Sequence, residues 1–407
     1  MRRHNLDALV ATSPVNVTYF SGYSCWVDSQ FKEYMMRPGA ASDPLPGAYA
    51  IFPSEGEPAL LVNAVFAVNT ESLWVKDIHV FGGRFLDNSL QSTKASGDFC
   101  HIFDVLRGSA CALSPTEALI QLVKERGLGQ ARIGLEMEGM ARSTREAVMQ
   151  GLPSAEIRDC SNLIRLIRMV KGPEELARLR RAAEINEEAA MEALDTARAG
   201  VPVSSLVQRF REWTASMGAD FDHFAVGLHG MGIASETSYL LKGEDICYAD
   251  FGCTYGGYFA DSGTTLALRP LSAELLARHA ALRGCIDVAI ESMRPGTRAS
   301  VVSAAMSRAL YERGITASFP HGHGLGLEAR DYPIVVDDNG LKIADGIVSL
   351  PSDLALEANM VINLECAIFM AGLASLHIEK SFLITMDGCE PLVSQDRGKP
   401  VMPLQTG

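Results

Sequence analysis

No Cys-X-X-Cys pair occurs among the nine cysteines of this 407-residue chain. Their odd number and scattered spacing argue against a disulfide framework and a structural zinc site, and fit a reducing cytoplasm. No apolar run reaches the ~18 residues of a membrane-spanning helix. Positive charge is scarce: 36 Lys and Arg stand against 49 Asp and Glu, for a formal net charge of −13. That balance argues against nucleic acid, which selects basic patches. There is no internal repeat or low-complexity tract. What the chain does have is apolar mass, 47 % of its residues, enough for a large core. Its length suggests two domains.

Residues 1–160 read as α/β. Met1-Arg2-Arg3-His4 is basic, but the apolar stretch behind it is too short for a signal peptide. That stretch reads as a strand, and the chain as beginning just inside an opening element. Short apolar strands are expected at 8–12, 48–52, 58–62 and 132–135, with helices at 114–126 and 139–150. Between them, residues 24–47 form a long connection carrying Trp26, Phe31 and Tyr34. Connections of that length are commonly functional. Residues 164–194 have helical periodicity interrupted by Lys171-Gly172-Pro173-Glu174-Glu175, where proline followed by acids marks a helix start. Residues 175–217 and 271–314 also read as helices, from apolar positions such as Leu176, Leu179, Ala183 and Ile185. Strand-like blocks lie at 246–251, 258–268, 360–369 and 375–385. Helices beside an antiparallel sheet make an α+β domain. The expected division is a first domain over 1–165 and a second over 166–407.

Within those strand-like blocks sit residues that do not belong in an apolar strand. Asp250 ends the run Ile246-Cys247-Tyr248-Ala249. Asp261 follows eleven residues later, across the turn Tyr255-Gly256-Gly257-Tyr258. A hairpin joined there brings the two carboxylates side by side, which raises their pKa values unless a cation lies between them. His321 and His323 occupy a Gly-rich stretch in which backbone can approach closely. Glu365 ends Met360-Val361-Ile362-Asn363-Leu364, and Glu379 follows Leu376-His377-Ile378. An acid in an apolar strand costs several kcal/mol unless paired, protonated or bound to a cation. Four carboxylates and an imidazole, if they converge, make a ligand set for two divalent ions.

The order of these five, and the words around them, resemble the creatinase/prolidase/methionine-aminopeptidase superfamily with its pita-bread fold. Asp250-Phe-Gly-Cys-Thr-Tyr-Gly-Gly-Tyr-Phe-Ala-Asp261, Gly322-His323-Gly-Leu-Gly-Leu-Glu, Asn359-Met-Val-Ile-Asn-Leu-Glu365 and His377-Ile-Glu379-Lys-Ser are similar to its four metal blocks. Leu6–Val10 with Asn16–Gly22, and Ile164–Lys171 with Glu174-Glu175, are similar to its N-terminal domain and interdomain helix. The resemblance implies a creatinase-like N-terminal domain and a pita-bread catalytic domain. It implies that Asp250 and Asp261 hold one ion. Asp261 and Glu379 would bridge to a second, completed by His323 and Glu365. Mn²⁺, Co²⁺, Zn²⁺ and Fe²⁺ all suit such a site. The resemblance further implies that such ions would lower the pKa of a water held between them, with Glu365 as proton shuttle.

Three departures bear on substrate. Peptidases of this group usually carry a His about seventeen residues before the first Asp. Here only His229 lies near, and it could serve only if its loop shifts. A second usual His is replaced by Arg330, which can hold a carboxylate or oxyanion. The usual Arg before the last block is His377. The resemblance thus implies a cytoplasmic, homodimeric metallohydrolase cleaving a C–N bond, most simply in an Xaa-Pro dipeptide. Glu365, Arg330 and His229 would be catalytic. Trp26, Phe31, Tyr34, Arg37, His321 and His377 would bind substrate, the first four on a loop lent to a partner subunit. The rivals are a non-peptidase acting on a small nitrogenous compound, as creatinase-like or ectoine-hydrolase-like enzymes or a lyase do, and an inactive binding module.

Overall fold

The computed structural model describes residues 1–24, 47–82, 100–108, 114–138, 140–235, 237–393 and 400–403. The chain divides into two compact units: residues 1–164 with 343–350, and residues 165–342 with 351–407. The division falls at Ile164/Arg165. The short return segment 343–350 was not anticipated from sequence, because a hairpin of a few residues leaves no periodic signal.

The first unit is built on a mixed six-stranded sheet. Its strands are β1 (Ala8–Ala11), β2 (Tyr49–Pro53), β3 (Ala59–Asn63), β4 (Asp77–Phe81), β5 (Arg132–Leu135) and β6 (Glu156–Asp159), in the order β4-β3-β2-β1-β5-β6. β1 pairs antiparallel with β2 and parallel with β5. Strands β1 to β3 are almost wholly buried. Their two faces feed separate apolar clusters, one around Ile51, Leu61 and Ile133, the other around Leu60, Val62 and Tyr23.

The second unit holds a nine-stranded sheet covered by helices Pro173–Leu194, Val203–Ser216, Ala273–Ser292 and Ala299–Tyr311. Each expected helical span is therefore two helices. The first span breaks at Gly200 and Pro202, the second at Pro295-Gly296, where glycine and proline end a helix on backbone grounds. The strands are β7 (Asp220–Gly227), β8 (Ile233–Ser235), β9 (Ile246–Tyr255), β10 (Tyr258–Ala267), β11 (His321–Gly324), β12 (Asp331–Val335), β15 (Val361–Met370), β16 (Ala374–Ile384) and β17 (Cys389–Pro391). The hairpin β13 (Lys342–Ala344) and β14 (Ser349–Pro351) is a separate two-stranded sheet. The main order is β12-β11-β15-β16-β10-β9-β7-β8, with β17 on β16, and its resolved pairings are antiparallel.

Side chains alternate across a strand, and here the alternation separates core from site. Phe251 packs against Phe210 and Phe224. Cys253 and Cys366 reach helix carbonyls, those of Ala182 and Leu282. Asp250, Glu365 and Glu379 lie out of phase with these residues and face the other way. Asp250 and Glu365 sit mid-strand, not at strand ends as expected, because the alternation continues past them through Cys253 and Ile368, both buried.

One buried ionic group fixes the turn between β11 and β12. Asp331 Oδ1 accepts from Arg168 Nη2 at 2.8 Å, and Lys171 Nζ lies 3.5 Å from Oδ2. Glu328 also accepts from Arg168. All of Arg168, Lys171 and Asp331 are nearly inaccessible. Removing the anion leaves two buried cations with half their compensation. Asp331→Ala is expected to cost about 3–5 kcal/mol, read as a lower urea midpoint. A loss below about 1 kcal/mol would show that water reaches the cations instead.

Candidate metal centre

Strand register places the site residues in lateral rows. One row runs Asp250, Gly263, Glu379, Glu365, His321, each residue paired with the next across neighbouring strands. Two residues along, His223 pairs with Gly252 and Gly252 with Asp261 on one flank, while Ser381 pairs with Asn363 and Asn363 with His323 on the other. On the opposite side of the first row, His377 pairs with Ala367. Glycines stand where two polar side chains must meet. A Cβ on Gly263 would lie 2.1 Å from His377 Cε1 and 2.9 Å from Glu379 Oε2. The missing side chain lets the imidazole and carboxylate converge over the backbone.

The result is three overlapping groups whose donor atoms lie within 4.8 Å of one another: His223, Asp250 and Asp261; Asp261, His323 and Glu379; and Glu365, His377 and Glu379. Asp261 and Glu379 each belong to two groups. All five ligand residues expected from sequence therefore meet in one place.

The hydrogen bonds leave a consistent set of donor atoms free. His323 Nδ1 donates to the Gly324 carbonyl at 3.1 Å, and His377 Nδ1 to the Ala249 carbonyl at 3.2 Å. A carbonyl only accepts, so each ring turns an Nε2 lone pair toward the carboxylates. His323 Nε2 is 3.6 Å from Asp261 Oδ2, and His377 Nε2 is 3.7 Å from both Glu365 and Glu379. Those two nitrogens, with Asp261 Oδ1 and Glu379 Oε2, are buried with no hydrogen-bond partner. Glu379 Oε1 accepts from Asn363 Nδ2 at 2.5 Å, and Asp250 Oδ2 from Tyr248 Oη at 2.8 Å. Glu379 thus has one oxygen tied and the other turned inward. Buried lone pairs facing one another are costly unless a cation lies between them. Oxygen donors with several imidazole nitrogens fit divalent metal ions.

Protonation follows the same logic. Burial, then the charges of Asp261, Asp250 and Glu365, push the Glu379 carboxyl well above the ordinary range. Burial works against charge on His223 and His321, but hydrogen bonds to carboxylates outweigh it and raise both. Burial lowers His323. Burial also opposes the Asp250 and Glu365 carboxylates, yet contacts with His223 and with His321 and His377 hold them low.

Substrate-side expectations meet a mixed outcome. Arg330 is exposed, with Nη2 3.5 Å from Glu365 Oε1, and His321 Nε2 lies 2.6 Å from the same oxygen. His377 is fully buried, stacked 3.8 Å from the Tyr248 ring. It lies within the carboxylate cluster, not on an open surface, because its ring is laid over Gly263 of the neighbouring strand and held by the Ala249 carbonyl. His229 is engaged elsewhere. Its Nε2 is 2.8 Å from Tyr239 Oη and 3.8 Å from Asp245 Oδ1. It follows the end of β7 with a left-handed backbone (φ 52°). Trp26, Phe31, Tyr34 and Arg37 lie outside the described residues. Sequence reasoning missed His223. It lies 27 residues before Asp250 in a mixed polar and apolar stretch, and only the pairing of β7 with β9 reveals it.

A model of metallopeptidase family M24 matches residues 177–386, just over half of the chain. The chain belongs to metallopeptidase family M24. It is a metallohydrolase of this family, and residues 1–170 match the creatinase/prolidase N-terminal domain. The M24 chain is 24 % identical to an Xaa-Pro dipeptidase of Lactobacillus delbrueckii subsp. lactis over 302 residues, 72 % of this chain and 78 % of that one. It is likewise 24 % identical to an Xaa-Pro dipeptidase of Lactobacillus helveticus, covering 98 % and 96 % of the two chains. Among solved structures it is similar in fold to the prolidase from Pyrococcus furiosus, with a TM-score of 0.72 at 19 % identity over 98 % and 99 % of the chains. Family membership implies divalent metal ions, and the three groups above are where this M24 chain can hold them. Among its described residues no helix is long and apolar enough to cross a membrane.

The shifts set a pH dependence for the metal-free protein. Glu379, His223 and His321 bind protons more tightly folded than unfolded, so their contribution to stability is lost as pH rises through their folded values. His323, Asp250 and Glu365 have lowered values and differ between the states only below their ordinary ones, at or under about pH 6.5. From about pH 7 to about pH 8.5, the melting temperature of protein stripped of metal should fall. Added Mn²⁺ should raise it more at the alkaline end, since the ion replaces protons. A metal-free melting temperature that held steady or rose over that window would contradict the assignment.

Proposed function

We propose that the chain is a two-metal hydrolase cleaving the C–N bond of an Xaa-Pro-type dipeptide. The observation that carries this reading is that Asp261 and Glu379 each belong to two neighbouring donor groups, as carboxylates serving adjacent ions would. In this reading Asp250 and Asp261 would hold one ion and His323 and Glu365 the other, with Asp261 and Glu379 within reach of both. Divalent ions held there, whether Mn²⁺, Co²⁺, Zn²⁺ or Fe²⁺, supply Lewis acidity and a water of lowered pKa.

The chain's own groups do the rest. Glu365 is the residue that takes a proton from the attacking water and passes it to the leaving nitrogen. His321, 2.6 Å from its Oε1, orients it. Arg330, 61 % exposed beside the same oxygen, binds the free carboxylate of a dipeptide with its forked donors. The names of the two Lactobacillus relatives support a dipeptide. One observation favours a second reading, a non-peptide nitrogenous substrate: His229, expected to assist in peptide cleavage, is engaged by Tyr239 and Asp245.

Elemental analysis should find about two ions per chain, lost on Glu379→Ala. Glu365→Gln, saturated with metal, should lower kcat on an Xaa-Pro dipeptide by about 10²–10⁴-fold. Arg330→Ala should chiefly raise KM for dipeptides and leave substrates without a free carboxylate unaffected. Turnover of small amidines with no cleavage of any Xaa-Pro dipeptide would transfer the proposal to the second reading.

A further inference from the structure

The five expected ligands place their single imidazole, His323, at the β11 end of the row, leaving Asp250 and Asp261 with oxygen donors alone. We propose that His223 is a sixth protein ligand of this centre. Its Nε2 binds the ion held by Asp250 and Asp261, and Asp222 fixes the ring. The inference rests on the two-ion reading above.

Backbone geometry points His223 at the site. The pairing of β7 with β9 is in regular register from Gly227 to His223 and shifts between His223 and Phe221. Asp222 is the extra residue of a β-bulge. Counted in register from Phe221 and Cys253, Gly252 would face Asp222, and His223 would project toward the helices. The bulge instead sets His223 opposite Gly252, in the row of Asp261. Bulges re-aim side chains in this way beside functional sites.

The opposing residue makes room for the ring. A Cβ on Gly252 would lie 2.4 Å from His223 Cε1 and 2.6 Å from Nδ1. Any larger residue would force the imidazole off the sheet. With glycine there, the ring lies across β9, its Nε2 2.9 Å from Asp250 Oδ1 and 3.5 Å from Asp261 Oδ1. That Asp261 oxygen has no hydrogen-bond partner.

The remaining ring nitrogen is held as metal-ligating histidines are held. Nδ1 donates to Asp222 Oδ2 at 2.8 Å, which holds the ring so that an ion can take the place of the proton Nε2 shares with Asp250, and increases the basicity of Nε2. The residue that makes the bulge therefore also supplies the outer carboxylate. A surface ion pair between His223 and the two acids would need neither feature. With His223 at one end and His323 at the other, each ion gains an imidazole. Nitrogen donors favour Co²⁺ and Zn²⁺ over Mn²⁺ more than an all-oxygen site does.

The test is metal binding by the full chain, stripped and reloaded, as wild type, His223→Gln and Asp222→Asn, with folding checked by circular dichroism. Cobalt titration is read by calorimetry and visible absorption. The wild type is expected to take two ions. His223→Gln should keep one at wild-type affinity, weaken the other by at least about tenfold, and lose part of the cobalt d–d absorption. Asp222→Asn should weaken the same ion by about 10–100-fold. Pulsed electron paramagnetic resonance on the Mn²⁺-loaded wild type and His223→Gln compares the coupled imidazole nitrogens directly: the variant is expected to lose one of those seen in the wild type. The same coupled nitrogens in both, or two ions in His223→Gln with unchanged affinity and spectrum, would overturn this inference and leave the two-ion reading intact. A wild type that takes up no ion would overturn both.

Discussion

Repulsion among Asp250, Asp261, Glu365 and Glu379 is the constraint on which the second unit turns. Two unit charges 4 Å apart cost about 4 kcal/mol at the dielectric typical of protein sites. Glu365 and Glu379 are directly paired across β15 and β16, where like charges are destabilising. Such a cluster persists only on a frame stiff enough not to splay. Strands of ten or eleven residues with apolar reverse faces, packed under long helices, supply that frame. The core on one face is what makes the charge density on the other tolerable.

The polar surroundings fix how the carboxylates point. Asn363 and Tyr248 each bind one oxygen of a carboxylate. Ser381 in turn donates to the Asn363 side-chain oxygen at 3.1 Å. These partners fix rotamers in advance, so little ordering remains when an ion arrives. Without ions, burial and the neighbouring carboxylates push Glu379 up, and hydrogen bonds to carboxylates raise His223 and His321.

At the rim, the β11–β12 turn links stability to chemistry. Asp331 anchors the base of the turn through Arg168 and Lys171, while Arg330, its neighbour, faces solvent and Glu365. Adjacent positions in one strand entry therefore divide between a buried ionic anchor and an exposed cation available to a substrate.

Much of this was legible in the sequence. Acids placed in apolar strands, at Asp250, Asp261, Glu365 and Glu379, violate the rule that buried charge must be compensated, and such violations mark function. The α+β class was equally readable, whereas the helix breaks at Gly200–Pro202 and Pro295-Gly296 were passed over, since the apolar periodicity resumes beyond them. Register was not readable either. His223 enters the cluster only because a bulge shifts β7 by one residue against β9. His377 is buried only because Gly263 clears space on a strand more than a hundred residues away, and His229 is drawn off by Tyr239 and Asp245. By itself the sequence determined the ligand chemistry and the elements that carry it. The tertiary structure decided which imidazoles join that chemistry, since strand pairing and the gap above a glycine are set by partners distant in the chain.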